Sequence, residues 1–213
     1  MVRTIVRIGV LALQGDFSLH VQALARCGVE TVEVRKPVQL ADVDGLVIPG
    51  GESTTLLKLM EAWGFVPAIE RYHAEGKPIF GTCAGLILLA RDVENPHQFS
   101  LGLIDLGVER NAYGRQRESF EARGVATLDG RRVPIEMVFI RAPRIRRLGP
   151  DVRALAEHRG ETVMAQAGLV LVATFHPELT DDPTVHRHFC SIVVEAAERR
   201  HERAAVATAV RRP

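Results

Sequence analysis

Aromatic residues make up only 5% of the 213, leaving few rings on which single-stranded nucleic acid could stack. Neither sign of charge prevails: 27 Lys and Arg face 26 Asp and Glu, and no basic stripe interleaved with aromatics appears. That balance speaks against a nucleic-acid surface. No apolar run approaches the roughly 20 residues needed to cross a bilayer, so no membrane partner is expected. The N-terminus, Met1-Val2-Arg3-Thr4-Ile5-Val6-Arg7, has no hydrophobic signal core. Cysteine is limited to Cys27, Cys83 and Cys190, an odd number without a CxxC pair. This argues against a disulfide framework and against a cysteine zinc site. No spacing of histidines and carboxylates points to a metal, and no GxxxxGK[ST] phosphate loop is present. The expectation is a cytoplasmic protein whose thiols remain free for chemistry.

What is present is an alternation of short β-branched runs with helical stretches, the pattern of an α/β fold with a mostly parallel sheet covered by helices. Strands are expected over 4–13, 31–35, 45–49, 79–80 and 169–175. Helices are expected over 18–27, 56–63, 66–75 and 86–91. Between 101 and 166 the segments read as strands joined by turns, which predicts an antiparallel extension of the sheet. Asp182-Pro183 is an N-cap and first-turn pair for a last helix running to about Arg199. Residues 1–200 read as one domain, and 201–213, Ala/Arg-rich with little apolar periodicity, as a frayed tail. His186, His188 and His201 read as solvent-facing or helix-end residues, and Cys27 and Cys190 as core.

Gly81-Thr82-Cys83-Ala84-Gly85 follows a short strand and precedes an apolar helix, the setting of a nucleophile elbow with cysteine in the place of serine. A helix N-terminus favours negative charge, and such surroundings make a thiolate available. The bland alternative is a buried cysteine at a strand end. A thiolate needs a proton carrier, and His176 follows the buried strand 169–175, with Pro177 fixing the turn and Glu178 two residues on. In an α/β sheet the C-terminal strand ends share one edge, where ligands bind, so Cys83 and His176 are expected together there. Glu178 can then orient the imidazole as the third member of a triad. Pro49-Gly50-Gly51-Glu52-Ser53 is either a turn that aims backbone N–H groups at a ligand, pairing with the amide of Ala84 as an oxyanion hole, or an ordinary βα turn with a Ser or Thr cap.

Together, Gly81-Thr82-Cys83-Ala84-Gly85 and Phe175-His176-Pro177-Glu178 resemble the class I (triad) glutamine amidotransferases. Leu13-Gln14-Gly15, Pro49-Gly50-Gly51-Glu52-Ser53-Thr54-Thr55, Val108-Glu109-Arg110-Asn111, Gly114-Arg115-Gln116 and Phe139-Ile140-Arg141-Ala142-Pro143 narrow the resemblance to the glutaminase subunit of pyridoxal 5′-phosphate synthase, from about Ile8 to Glu195. The resemblance implies a flavodoxin-like three-layer fold and hydrolysis of L-glutamine to glutamate and ammonia without a cofactor. It implies Cys83 as nucleophile, His176 as base and then acid, and Glu178 as its orienting partner. Gly51, Glu52, Ser53, Arg110, Ile140 and Arg141 match the family's glutamine-binding positions. Arg110 or Arg141 can hold the substrate carboxylate and Glu52 its ammonium. The ammonia passes, in that family, to a separate synthase subunit of TIM-barrel fold, the activating partner in a large hetero-oligomer. The Gln14-Gly15-Asp16 turn is expected on the same sheet edge, with Gln14 facing that partner. The alternatives are a glutaminase serving another synthase, a cysteine peptidase or chaperone of similar fold, and a non-catalytic scaffold or regulatory subunit.

Overall fold

A computed structural model describes residues 5–110 and 119–210. A nine-stranded sheet in the order β2-β1-β3-β4-β12-β11-β10-β7-β8 forms its centre. Its first half is parallel: β1 (Arg7–Leu11) lies between β2 (Glu30–Val34) and β3 (Gly45–Ile48), followed by β4 (Ile79–Thr82) and β12 (Val170–Ala173). From β12 outward every pairing is antiparallel, through β11 (Glu161–Ala167), β10 (Arg153–His158), β7 (Ser119–Leu128) and β8 (Arg131–Ile140). The antiparallel extension expected over 101–166 is therefore present.

Alternation along the parallel strands sorts their side chains onto two faces. Leu46 and Ile48 of β3, with Ile79, Val170 and Val172, join the core beneath α2 (Ser53–Ala62), α3 (Phe65–Ala74) and α4 (Ala84–Leu89). Val47, Phe80 and Leu171, one residue out of step, join the core beneath α1 (Phe17–Arg26) and α5 (Thr184–Val210). The runs are unbroken because both faces are covered, as parallel strands require. Asp182 caps α5 as expected, accepting from the backbone N–H of Thr184 at 3.0 Å.

Two features depart from expectation. The helix placed over 86–91 spans Ala84–Leu89, and Ala90 opens a strand instead, β5 (Ala90–Glu94). With β6 (Ile104–Glu109) and β9 (Arg144–Leu148), β5 forms a second, three-stranded sheet. Such short exposed-and-buried strands lack an apolar run that periodicity could detect. The final helix does not stop near residue 199 but continues to Val210, since Ala, frequent in its last turns, is the strongest helix former. Among the described residues no helix is long and apolar enough to cross a membrane.

One contact fixes α4 against the sheet. A Cβ added to Gly85 would meet the carbonyl oxygen of Ile48 on β3 at 2.1 Å, a backbone atom that cannot step aside. Gly85→Ala is therefore expected to push α4 off β3 and cost about 1–3 kcal/mol by overpacking, a fall in Tm of roughly 2–12 °C for a chain of this size. A thermal melt equal to the parent's would contradict that packing.

Candidate active site

Cys83 stands between β4 and α4 at φ 46°, ψ −100°, a backbone conformation few non-glycine residues adopt. Holding a residue there costs about 1–3 kcal/mol and needs surrounding structure to impose it. The imposed contacts are visible: the Cys83 N–H donates to Ala173 O on β12 at 2.9 Å, and its carbonyl accepts from the Ile87 N–H at 3.2 Å. The sharp strand-to-helix turn thus presents the thiol at the sheet edge, as the elbow motif implies.

β12 delivers the second group. His176 follows it by three residues, and its N–H donates to Val138 O on β8 at 2.8 Å. Its Nδ1 lies 2.7 Å from Glu178 Oε1, and Cys83 lines the same cavity, close enough to perturb the imidazole. Cys83, far upstream in the chain, thus meets the His176–Glu178 pair at one edge of the sheet. Burial alone would depress the imidazole, but hydrogen bonds to Cys83 and Glu178 outweigh it and push His176 up to about 10. Glu178 is buried. Burial would raise its carboxyl, yet the charge of His20 and the hydrogen bond from His176 hold it well below the ordinary carboxylate range. The ring stands between Cys83 and the Glu178 carboxylate, and both favour its protonated form.

The glycines of the Pro49–Ser53 turn have a packing role that the sequence reading did not include. The ring of His176 fills the space beside Gly50, where an added Cβ would fall 2.3 Å from Cε1. Likewise the amide of Gln14 occupies the space beside Gly51, and Gln14 Oε1 accepts from the Glu52 N–H at 3.2 Å. Gln14 therefore reaches back onto the glycine turn.

A cavity of about 190 Å³ opens beside the thiol, lined by Gly51, Glu52, Ser53, Arg110, Ile140 and Arg141 together with Cys83 and His176. All six residues matched to glutamine binding thus converge there. Cavities for drug-sized ligands run about 300–1,000 Å³, so this one suits a molecule the size of one amino acid. Larger grooves exist, the foremost between β7, β8 and the 179–181 segment, but none of them holds the thiol. The small sheet, unforeseen as a unit, carries Arg110 in: β6 ends at Glu109, and Arg110 Nη2 donates to Thr54 Oγ1 at 3.0 Å and lies 3.8 Å from Glu52 Oε1. β8 ends at Ile140, and Arg141 follows at φ 43°.

Some of these side chains are already engaged. Glu52 is the N-cap of α2, accepting from Thr54 N at 3.0 Å and from Thr55 N at 2.6 Å. Burial would raise its carboxyl, but the bonds from Thr55 and Thr54 prevail and bring it to about 2. Ser53 is buried, its hydroxyl donating to Gln98 Oε1 at 3.2 Å. Ala84 opens α4 directly behind Cys83. Asn111, Gly114, Arg115 and Gln116 lie outside the described residues.

Several neighbours escaped the sequence reading. Asp16, Ile87 and Pro143 also line the cavity. Among the described residues the one cluster able to hold a metal is Asp16, His176 and Glu178, with ligand atoms within 4.8 Å; two of the three are already bonded to each other. His186 and His188, expected to face solvent or to end a helix, are buried near the start of α5, and His20 is buried as well. The spacing of His20 with Phe17 and Leu24 on α1 was the available signal, since it sets the imidazole on the apolar face.

Residues 10–195 match the SNO glutamine amidotransferase family. The chain belongs to that family. It is 51% identical over 187 residues to the pyridoxal 5′-phosphate synthase subunit PdxT of Desulforamulus reducens, covering 87% of this chain and 98% of the relative. To the PdxT of Koribacter versatilis it is 54% identical, covering 88% and 95%. A crystal structure of a glutamine amidotransferase superposes with TM-score 0.81 at 46% identity, over 87% of this chain and 98% of the other. PurLQS from Thermotoga maritima shares the fold alone, with TM-score 0.59 at 15% identity, over 89% and 96%. The mixed α/β fold of the class I glutaminases is thus this chain's fold.

The elevated imidazole makes a direct prediction for this amidotransferase. Its folded value lies above the ordinary 6.5, so the stabilisation it brings is complete below about pH 6.5 and is lost as pH rises through about 10. By NMR, His176 should stay protonated through neutrality, and Cys83→Ala should lower its titration midpoint. A midpoint near 6.5 in the parent protein would contradict the geometry.

Proposed function

We propose that this chain is the glutaminase subunit of a pyridoxal 5′-phosphate synthase, hydrolysing L-glutamine to L-glutamate and ammonia through a thioester on Cys83. The observation that carries the reading is the buried series Cys83–His176–Glu178 opening onto a cavity lined by Arg110, Arg141 and Glu52.

In this reading the substrate's α-carboxylate pairs with Arg110 or Arg141 as a charge-assisted contact. The α-ammonium meets Glu52, which is ionised at neutral pH and whose oxygens can accept beyond their bonds to Thr54 and Thr55. Gly51, Ser53 and Ile140 shape the walls. Cys83 attacks in its thiolate form, the nucleophilic form of a cysteine, with the imidazolium of His176 beside it. Its sulfur bonds to the side-chain amide carbon, and the carbonyl electrons move to oxygen. The backbone amides of Ala84 and Gly51 receive that oxyanion. The carbon–nitrogen bond then breaks, and the leaving nitrogen takes the proton of His176 and departs as ammonia. Neutral His176 next accepts a proton from water, whose oxygen attacks the thioester. A second oxyanion collapses, the thiolate leaves, and glutamate is released. Glu178 keeps the ring oriented in both steps.

The partner in this reading is a separate synthase subunit of TIM-barrel fold within a hetero-oligomer, which takes up the ammonia and raises the hydrolysis rate. Gln14, seated on the glycine turn, is positioned to pass contact with that partner to the backbone of Gly51 and Glu52. The setting is cytoplasmic, where Cys27, Cys83 and Cys190 remain free thiols.

Two assays test the proposal. Glutamate release from L-glutamine should be low for the isolated chain, rise strongly with the synthase subunit, and fall by at least about 10³-fold in Cys83→Ala. Activity surviving in that variant would overturn the nucleophile assignment. Arg110→Gln should raise KM for glutamine about tenfold or more with a smaller change in kcat, and an unchanged KM would remove Arg110 from substrate binding.

A further inference from the structure

Behind the triad lies a second pair of buried imidazoles that the proposed chemistry does not use. His20, on α1, is fully buried. Its Nε2 stands 3.2 Å from Thr82 Oγ1 and 3.3 Å from Glu178 Oε2, the carboxylate oxygen turned away from His176. Its Nδ1 is 3.0 Å from His186 Nε2 on α5. Phe80 meets both rings edge-on, at 6.2 Å in each case, and closes the site to water. His186 is likewise fully buried, and its remaining nitrogen, Nδ1, has no partner.

The Nε2 of His20 faces a carboxylate, which favours a proton there, and its Nδ1 shares a single hydrogen with the Nε2 of His186. Burial, followed by the charge of His20, holds His186 down at about 3, so it remains neutral. The Nε2–H of His20 is shared: its line to Oε2 falls short of hydrogen-bond geometry, leaving that oxygen without a regular partner, while Thr82, the residue before the thiol, takes part of the donor.

We infer that His20 is a positioning residue for the triad: from the side opposite His176 it keeps the Glu178 carboxylate ionised and aimed, and His186 holds the His20 ring in place through its other nitrogen. Two helices that never touch substrate would then set the proton affinity of the catalytic imidazole. The inference rests on the glutaminase reading. The titratable groups around Glu178 are His20 on α1, His176 after β12, His186 on α5, Cys83 at the elbow and Asp16, whose carboxylate lies within 4.8 Å of the ligand atoms of His176 and Glu178. Arg26 of α1 adds a positive charge felt by His186. Of these, only His176 and His20 meet the Glu178 oxygens within ion-pair distance.

The test uses the chain with its synthase subunit and compares His20→Met, of similar bulk without a donor, with His20→Gln, whose amide restores one. For His20→Met we expect kcat to fall about 10–100-fold, the range typical when a partner behind a first-contact residue is lost, with KM for glutamine within threefold. A carboxylate deprived of its donor protonates more readily, so the acidic limb of kcat against pH should move to higher pH. His20→Gln should recover most of kcat and return that limb toward the parent. A purely structural role would lower the melting temperature without moving the limb. If His20→Met fails to fold, His186→Asn, which keeps an amide donor, set beside His186→Leu provides the same comparison one residue further back. Parent-like kcat and pH profile in the donor-free variants would overturn the inference, as would a limb that does not move. Cys83→Ala, run in parallel, separates the failures: its activity tests the glutaminase reading alone.

Discussion

A negative charge held away from water is the constraint on which this site depends. Isolated, the Glu178 carboxylate would take up a proton rather than remain charged in the interior. It stays charged because imidazoles meet it on two sides, His176 at 2.7 Å and His20 at 3.3 Å. That charge, with Cys83 on the other side, favours the protonated form of His176, and an imidazolium beside the sulfur is the partner a thiolate nucleophile needs. The strained turn at Cys83 completes the series by setting the thiol where the ring can reach it. Removal of any one link therefore alters the ionisation of the others, and single-site effects within the series should not add.

The two halves of the large sheet divide the labour. Parallel strands deliver the reacting groups, because β4 and β12 are hydrogen-bonded neighbours whose C-terminal ends bring the Cys83 elbow and His176 to the same edge. The antiparallel half and the small sheet deliver the groups that line the cavity, with β8 ending at Ile140 and β6 at Glu109 just before Arg110. Chemistry thus sits on the more deeply covered part of the fold and recognition on its margin. The glycine turn joins them: Gly50 is bare because the His176 ring lies on it, and Gly51 because the Gln14 amide does.

Much of this was legible in the residues. The GTCAG elbow and the HPE segment follow from strand-end placement, and unbroken apolar runs such as Gly45–Ile48 mark strands covered on both faces. What escaped had physical reasons. β5 is short and mostly exposed, so neither length nor periodicity marks it. Its sheet exists through long-range pairing with β6 and β9, which no local pattern encodes. His186 lies one residue after Val185 and three before Phe189, a spacing equally suited to the edge of a helix face or its centre; only the position of α1 settles that it is buried. The cap of α2 is Glu52 and not the Ser or Thr expected of an ordinary turn, because a carboxylate at that position accepts from the same N–H groups a hydroxyl would. The length of α5 exceeded expectation because alanine-rich segments carry helix propensity without an apolar stripe.

The central claim is that Cys83, and neither of the other two thiols, bonds to the side-chain carbon of glutamine. It is tested most directly by treating the protein with a glutamine analogue bearing an electrophilic carbon in place of the amide carbonyl, then locating the added mass by peptide sequencing. The account predicts a single label on Cys83, suppressed by excess L-glutamine and abolished in His176→Ala. Labelling of Cys27 or Cys190 instead, or labelling of Cys83 that glutamine does not suppress, would contradict it.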